Sequence, residues 1–170
     1  ILNDRLNLFF KNDFNFKTLH DIYINPRLSL RVIDWFVTNF SKKNNVTYDI
    51  PFKYNTKHKF NVYTSYKSQL KSYSKKFFDP FCRRERIDFG NGKSKMVTTI
   101  GQLNFFKWAI DYKILDYINE NYEMIDKDMN NCMSIHNTLK KKSGKKRKEL
   151  SKSSYMGLNT QKMDILLYFD

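Results

Sequence analysis

The sequence of residues 83–110 is RRERIDFGNGKSKMVTTIGQLNFFKWAI, and it predicts a β-hairpin that leads into a helix. Two β-prone runs, residues 83–89 and 94–99, flank the tetrapeptide Gly90-Asn91-Gly92-Lys93. Gly and Asn readily adopt the positive φ angles that a tight hairpin turn needs. We therefore expect two antiparallel strands joined at this tetrapeptide.

A helix is expected directly after the hairpin. Thr99 and Gln102 have the spacing of a capping box, in which two side chains satisfy free N–H groups at the start of a helix. The apolar residues that follow recur at helical spacing and predict one buried face. They are Leu103, Phe106 and Ile110. Around residues 111–113 the chain is expected to turn into a further helix that reaches Met129.

The segments upstream are also expected to be largely helical. Asn25-Pro26 has the residue types favoured at an N-cap and at the first helical position. The apolar residues that follow at helical spacing are Leu30, Ile33, Phe36, Val37 and Phe40. Residues 46–52 read as a strand, residues 51–59 as a loop and residues 61–77 as a helix. Asp79-Pro80 ends that helix, because a residue before proline avoids the α conformation.

These elements predict a mostly helical single domain of the α+β class. The alternation of side chains along residues 163–170 is typical of a strand, and this C-terminal strand is expected to join the hairpin in a small sheet. The chain then divides into an α+β globular domain at residues 1–137, a basic arm or linker at residues 138–154, and a strand that returns to the domain at residues 155–170.

The composition restricts the class of protein. Of the 170 residues, 41% are hydrophobic and 16% aromatic, which suffices for a core without disulfides or metal. Cys82 and Cys132 are too few for a disulfide scaffold. No apolar run has the length of a membrane span, and residues 1–11 lack the layout of a signal peptide, so we expect an intracellular protein. Because the chain begins with Ile1, we also expect a processed or truncated piece.

Positive charge is the main functional signal. The chain has 31 Lys and Arg against 17 Asp and Glu, a net charge of +14, and polyanions such as DNA or RNA are the expected partners. The candidate nucleic-acid-binding residues form three groups. On the predicted helix 61–77 they are Lys67, Lys71 and Lys75. Around the hairpin they are Arg83, Arg84, Arg86, Lys93 and Lys95. In the basic arm they are Lys140, Lys141, Lys142, Lys145, Lys146, Arg147 and Lys148.

Each basic group also has a purely structural explanation. Strand alternation predicts that Arg84 and Arg86 project from the face opposite Glu85 and form a basic outer surface. Alternatively, the arginines pair with Asp79, Glu85 or Asp88 on an ordinary solvated edge. The arm is a contact for phosphates, a nuclear localisation signal or a flexible connector. Because lysine is a point charge, we expect the arm to contribute little to base recognition.

Four stretches, in this order, carry a family resemblance. They are LRVIDWFVTNFSKK at residues 30–43, FFDPFCRRERI at 77–87, TTIGQLNFFKWAI at 98–110 and KKRKELS at 145–151. Together they resemble an uncharacterised family of nucleocytoplasmic large DNA viruses, the giant, mimivirus-like viruses, over most of residues 28–152. The resemblance implies a viral protein that acts in a cytoplasmic viral factory, the nucleus or the virion. It transfers no catalytic residue and no cofactor.

The function expected from these features is non-enzymatic, largely sequence-nonspecific nucleic-acid binding by a protein of a large DNA virus. It would serve genome packaging, the virion core or transcription. The main alternative is a structural or minor capsid protein whose basic arm binds neighbouring subunits. A further alternative is a metal-dependent nuclease-like enzyme that uses Asp79, Glu85, Asp88 and Lys93, whose spacing is not the usual one for such a site. The sequence leaves the choice of DNA or RNA and the oligomeric state open.

The sequence disfavours three other kinds of site: a helix-turn-helix, a structural zinc site and a base-stacking surface. Two helices within residues 99–129 have the size of a helix-turn-helix, but acidic side chains on the second would repel a duplex. Cys132 and His136 have the spacing of two ligands on one helix face, whereas a structural zinc ion usually needs four. Aromatic residues near the basic groups can stack on unpaired bases, but their spacing favours core packing. They are Tyr63, Tyr66, Tyr73, Phe78 and Phe81.

Overall fold

Helices dominate the part of the chain that the structure describes, which also contains two short pairs of antiparallel strands, as expected for a mostly helical α+β fold. The computed structural model describes residues 1–51, 57–81, 83–90 and 95–142. The α-helices in this part are α1 Leu2–Phe10, α2 Asp13–Ile24, α3 Leu30–Trp35, α4 Ser41–Lys43, α5 Val62–Phe77, α6 Ile100–Asp111, α7 Ile114–Glu120 and α8 Tyr122–Lys142. The strands are β1 Thr47–Pro51, β2 Lys57–Asn61, β3 Ile87–Phe89 and β4 Met96–Thr98.

The chain forms two units, Ile1–Cys132 and Met133–Asp170. The first contains α1 to α7, both strand pairs and the beginning of α8. In the second, α8 continues to Lys142, so the first residues of the predicted basic arm are helical. The predicted C-terminal strand at residues 155–170 lies outside the described residues.

Helix α6 lies at the centre of the core of the first unit. It packs against α1, α2, α5 and α7, and it is buried on nearly every side, its polar residues Gln102 and Asn104 included. Phe105, Trp108 and Ala109 are buried together with Leu103 and Phe106, whereas Ile110 is only half-buried. The sequence predicted one buried face for α6, but the structure buries residues on several faces, because neighbouring helices cover α6 from several directions. A helix buried in this way cannot enter a DNA groove.

The first turn of α6 joins three parts of the chain. Thr99 caps the helix as predicted, since its Oγ1 accepts a hydrogen bond from the Gln102 N–H at 3.1 Å. The Gln102 side chain does not close the predicted capping box. Its Nε2 donates to the Pro80 carbonyl oxygen at 2.8 Å, and its Oε1 accepts from the Thr98 hydroxyl at 2.9 Å. This buried glutamine ties the segment after α5 to strand β4.

The predicted hairpin pairing is present in β3 and β4, but the strands are shorter than expected. Ile87 pairs with Thr98 and Phe89 with Met96, in antiparallel register. The prediction that the first strand begins at Arg83 is wrong. Because Thr99 caps α6 and ends β4, no strand residue lies opposite the residues before Ile87. The predicted turn at residues 91–94 lies outside the described residues.

In the second antiparallel pair, strand β1 was predicted from the sequence and strand β2 was not. Thr47 pairs with Asn61 and Pro51 with Lys57. The sequence predicted a loop up to residue 59, since KHKFN at residues 57–61 has a single apolar side chain. That side chain, Phe60, is buried, and its ring stacks on Tyr112 with centroids 4.5 Å apart. Tertiary packing therefore stabilises a strand that alternation alone does not indicate.

The chain from residue 30 to residue 43 follows the predicted helical stripe. Helix α3 continues through a π-helical turn, Phe36–Phe40, into α4. Ile33, Phe36, Val37 and Phe40 are buried, and Leu30 is half-buried. Asn25 caps a 3-10 turn at Pro26–Leu28, and the Ser29 hydroxyl caps α3. The first third of the chain is thus helical as predicted, but the predicted start at Asn25-Pro26 is wrong for the helix that carries the stripe, which begins at Leu30 after the Ser29 cap.

Candidate nucleic-acid interface

The three lysines predicted on the helix at residues 61–77 lie exposed on α5. Lys67, Lys71 and Lys75 line one shallow surface groove together with Ser68 and Leu70. Within the described part of the chain, no ion pair engages these three ammonium groups. The sequence prediction that they form one basic surface is compatible with this placement.

The helix that carries the lysines is interrupted at Ser74. This residue has φ 58° and ψ 170°, which are not helical angles, and its hydroxyl accepts a hydrogen bond from the Lys76 N–H at 3.3 Å. Lys67 and Lys71 are therefore one turn apart on a regular helix, whereas Lys75 follows the break. The sequence pattern of three lysines at equal spacing did not reveal this break.

The C-terminal end of α5 is fixed against the first turn of α6. The Asn104 side chain donates to the Phe77 carbonyl oxygen at 2.8 Å, and the Asp79 N–H donates to the Gly101 carbonyl oxygen at 3.2 Å. A Cβ atom at Gly101 would lie 2.9 Å from the Lys76 carbonyl oxygen, so only glycine permits this approach. These contacts set the position of the last lysines of α5 relative to the arginine segment that follows.

Arg83 forms an internal ion pair. Its Nε donates to Asp79 Oδ2 at 2.9 Å and its Nη2 donates to Asp79 Oδ1 at 2.7 Å. The Asp79 side chain is only 6% exposed, and its hydrogen bonds raise the pKa of Arg83. The guanidinium also lies over the Phe81 ring, 5.0 Å from the centroid. Pairing with Asp79, the structural alternative for the arginines, is therefore confirmed for Arg83.

The charges of Arg83 and Asp79 affect the pKa values of two further groups, Asp34 and Tyr66. Burial raises the pKa of Asp34, the Arg83 charge opposes that rise, and the Asp79 charge adds to it. Burial, together with the charges of Asp34 and Asp79, also raises the pKa of Tyr66 to about 12. Since α3 supplies Asp34 and α5 supplies Tyr66, the pair is coupled to both helices.

Arg84 and Arg86 are exposed, and they precede β3. The predicted strand alternation at these residues is wrong, because β3 begins only at Ile87. Arg84 lines a pocket together with Lys76, so the structure brings the arginine segment next to the end of α5. Lys76 was missed by the sequence analysis, although it stands directly beside Lys75. Lys95 is exposed immediately before β4.

The remaining predicted residues lie where side chains are not described. Lys93 and residues 145–148 fall outside the described residues. Lys140, Lys141 and Lys142 belong to α8, but their side chains are likewise outside the description.

The acidic residues of the nuclease alternative lie in three different environments. Asp79 bonds to Arg83, Glu85 lines the pocket beside Lys76, and Asp88 lines a groove formed by α1, α2 and β3. Among the described residues, no group of three or more His, Cys, Asp or Glu side chains is placed to hold a metal ion.

The aromatic residues considered for base stacking pack mainly within the protein. Phe78 is buried, and the rings of Tyr66 and Tyr73 lie 6.0 and 6.5 Å from it. Phe81 lies half-buried beneath Arg83. Tyr63 is half-buried, with Lys42 Nζ 5.6 Å from its ring centroid. Phe77, at the end of α5 beside Lys76, is 37% exposed. Sequence reasoning assigned Phe77 to the apolar stripe of α5 and so missed it.

This arrangement defines a mostly helical α+β protein with an exposed lysine face and an adjoining arginine segment. The chain belongs to a family of unknown function, DUF7197, whose model matches residues 1–170. It is 40% identical over 162 residues to "Uncharacterized protein L507" of Acanthamoeba polyphaga mimivirus, a match that covers 90% of this chain and 61% of that relative. The chain thus spans about three fifths of the length of the relative. No solved structure matches the chain.

These comparisons confirm the predicted relationship to giant-virus proteins and support a viral origin. In the described parts of the chain, every helix is too short or too polar to cross a membrane.

Proposed function

We propose that this protein binds nucleic acid non-enzymatically and with little sequence specificity, in genome packaging, the virion core or transcription of a large DNA virus. The observation that carries the proposal is the exposed group of Lys67, Lys71 and Lys75, which no ion pair engages among the described residues. The net charge of +14 supports the same class of partner.

Lysine side chains in this arrangement suit phosphate groups better than base edges. An ammonium group is a point charge that neutralises a phosphate and releases its condensed counterions. Lys67 and Lys71 are one helical turn apart and therefore project from the same side of α5. Binding through such contacts depends on the backbone of the nucleic acid and only weakly on its sequence.

The exposed arginines extend this surface. Arg84 and Arg86 lie on the segment that leads into β3, and Arg84 shares a pocket with Lys76. A guanidinium can form two parallel hydrogen bonds to a phosphate, which fixes direction as well as distance. In this proposal the lysines supply affinity, and the two arginines fix the orientation of the backbone.

The salt dependence of binding tests the proposal. A labelled DNA or RNA is titrated with the full chain at several salt concentrations, and fluorescence anisotropy gives the dissociation constant. Replacing Lys67, Lys71 and Lys75 with Gln should lower the slope of log K against log salt by about 2–3, since each lost phosphate contact removes about 0.7–0.9.

A matched variant with the same loss of charge is the control. Lys11, Lys17 and Lys127 are exposed on other helices or at their ends, and their replacement with Gln should change the slope less. Equal effects of the two triple variants would show that net charge alone governs binding. No binding at low ionic strength, or binding that is insensitive to salt, would refute the proposal.

A groove on another face favours the structural role as a second candidate. It is formed by α1, α2 and β3, with a volume of about 850 Å³, and Phe10, Phe16 and Phe89 contribute to its lining. Three carboxylates and one lysine also line it: Asp4, Asp13, Asp88 and Lys11. Such a surface suits a basic protein segment, as a virion subunit would offer. Fractionation of virus particles separates the candidates, since a genome-binding protein should accompany the nucleic acid and a capsid protein the shell.

A further inference from the structure

A pocket of about 320 Å³ opens where the end of α5, the segment before β3 and the first turn of α6 meet. Its volume is at the lower end of the range of about 300–1,000 Å³ that small-molecule sites occupy. Its lining is mostly apolar and contains two basic side chains and one carboxylate. The lining residues are Lys76, Phe77, Arg84, Glu85, Ile87, Thr99, Ile100 and Gly101.

The walls of the pocket are held in place by the contacts at the end of α5. Asn104 holds the Phe77 carbonyl oxygen, and the close approach at Gly101 brings the α5 backbone against α6. The Lys76 Nζ lies over the Phe77 ring, 5.1 Å from its centroid. An exposed aromatic ring, a cation beside it and two aliphatic side chains, Ile87 and Ile100, therefore form one site.

We infer that this pocket binds an unpaired base of a single-stranded nucleic acid, an inference that rests on the proposed function. A nucleotide combines a flat base with apolar faces and a phosphate that carries negative charge. The Phe77 ring and the aliphatic side chains suit the base, and Lys76 and Arg84 suit the adjacent phosphates. A base stacked inside a duplex cannot enter such a pocket, so the ligand must be single-stranded or locally opened.

Glu85 determines which base the pocket favours. An ionised carboxylate only accepts hydrogen bonds, and its two oxygens accept two parallel donors. The Watson–Crick edge of guanine presents two adjacent N–H donors, whereas the other bases present fewer donors next to acceptors. The pocket therefore favours guanine over thymine or uracil.

Binding of matched oligonucleotides tests the inference. The full chain is titrated with a labelled oligothymidine, with the same oligonucleotide carrying one central guanine, and with a duplex of the same length. Phe77→Ala should weaken binding of the guanine-containing single strand by about 5- to 100-fold, because base stacking on one aromatic side chain contributes that much. Binding of the duplex should stay within about twofold of wild type, because α5 keeps its lysines.

Two further variants complete the comparison. Glu85→Gln should abolish the preference for the guanine-containing strand, because an amide offers one acceptor and one donor where the carboxylate offers two acceptors. Phe14→Ala is the matched control, because Phe14 is an aromatic residue 73% exposed on α2, away from the pocket lining. It should change neither affinity.

The outcomes separate the two proposals. If wild type binds with steep salt dependence but Phe77→Ala affects single strand and duplex equally, or affects neither, the pocket inference is wrong and the proposed function stands. If no nucleic acid binds at low salt, both fail. If the guanine preference persists in Glu85→Gln, the assignment to guanine is wrong.

Crosslinking of the wild-type chain decides the matter even if Phe77→Ala fails to fold. The central guanine is replaced by 6-thioguanine, the complex is irradiated, and the linked peptide is identified by mass spectrometry. Crosslinks within residues 76–87 or 99–101 support the inference. Crosslinks confined to other peptides overturn it.

Discussion

Single buried polar residues decide how distant parts of this chain meet. Gln102 is fully buried and bonds the Pro80 carbonyl oxygen and the Thr98 hydroxyl. Thr98 in turn accepts a hydrogen bond from the Tyr23 hydroxyl at 3.3 Å. The network joins α2, β4, α6 and the segment after α5. Buried networks of this kind specify one arrangement, because any other leaves polar groups without partners.

Replacement of Gln102 with Met should destabilise the protein by about 2–6 kcal/mol. The volume is nearly kept, but the buried Pro80 carbonyl and the Thr98 hydroxyl each lose a partner, which costs about 1–3 kcal/mol per group. The free energy of unfolding in urea measures the effect. Gln69→Met, at a half-buried position on α5, is the control and should change little. Equal stabilities of the two variants would contradict the proposed role of the network.

Replacement of Asp34 with Asn should stabilise the protein at neutral pH. Burial raises the pKa of Asp34 above its ordinary value of 3.8, so the folded chain retains a proton that the unfolded chain releases. Stability is therefore lost as pH rises through the interval between these two pKa values, and the loss persists above it. Asn removes that loss.

Urea unfolding at pH 7 and at a pH well below 3.8 checks this prediction. The variant should be more stable than wild type at pH 7, and the difference should shrink in acid, where Asp34 is protonated in both states. Asp21→Asn, at an exposed position on α2, is the control. A variant less stable than wild type at pH 7 would show that the attraction to Arg83 outweighs the cost of burial.

At the scale of elements, the break in α5 is the feature that shapes the candidate interface. Ser74 occupies a backbone conformation that is natural only for glycine, and this costs about 1–3 kcal/mol. Ser74→Gly should therefore raise the free energy of unfolding by about 1 kcal/mol, after the entropy cost of glycine is subtracted. Ser72→Gly, at a regular helical position, should instead lower it by about 0.5 kcal/mol. Thermal unfolding compares them, and destabilisation by both would contradict the assigned break.

The segment between α5 and β3 contains arginines with two different roles. Arg83→Ala should destabilise the fold by about 1–3 kcal/mol, because Asp79 is buried and loses its charged partner. Arg84→Ala with Arg86→Ala should leave the melting temperature unchanged and cost about 1–3 kcal/mol of binding to nucleic acid. Calorimetry and anisotropy on both variants measure the two effects. Early melting of the double variant with normal binding would remove Arg84 and Arg86 from the interface.

At the scale of the whole molecule, positive charge is concentrated in two sequence regions. Replacing the arm lysines with Gln should reduce the salt slope of nucleic-acid binding without changing the melting temperature, because cationic segments outside the core add affinity and association rate. The residues replaced are Lys140, Lys141, Lys142, Lys145, Lys146 and Lys148. Anisotropy at several salt concentrations and thermal unfolding test this. An unchanged slope would exclude the arm from binding. If the same variant no longer accumulates in the nucleus, the arm is also a nuclear localisation signal.

The sequence by itself determined features that depend on neighbours close in the chain. The apolar spacing of residues 61–77, the Thr99 cap and the two β-prone runs each predict a local structure, because helix and strand periods and capping bonds involve residues only a few positions apart. The excess of Lys and Arg and the giant-virus family resemblance are likewise properties of the sequence alone.

Only the tertiary structure decided where distant residues meet. The first turn of α6 approaches the end of α5 through Gly101, which forms the pocket and places Lys76 beside Arg84. Because the Thr99 cap ends β4, the partner strand β3 begins only at Ile87 and does not include Arg83. The stacking of Phe60 on Tyr112 stabilises β2, a segment with almost no apolar pattern. These outcomes depend on contacts between residues far apart in sequence. Local patterns do not encode them, because each arises only when the whole core packs.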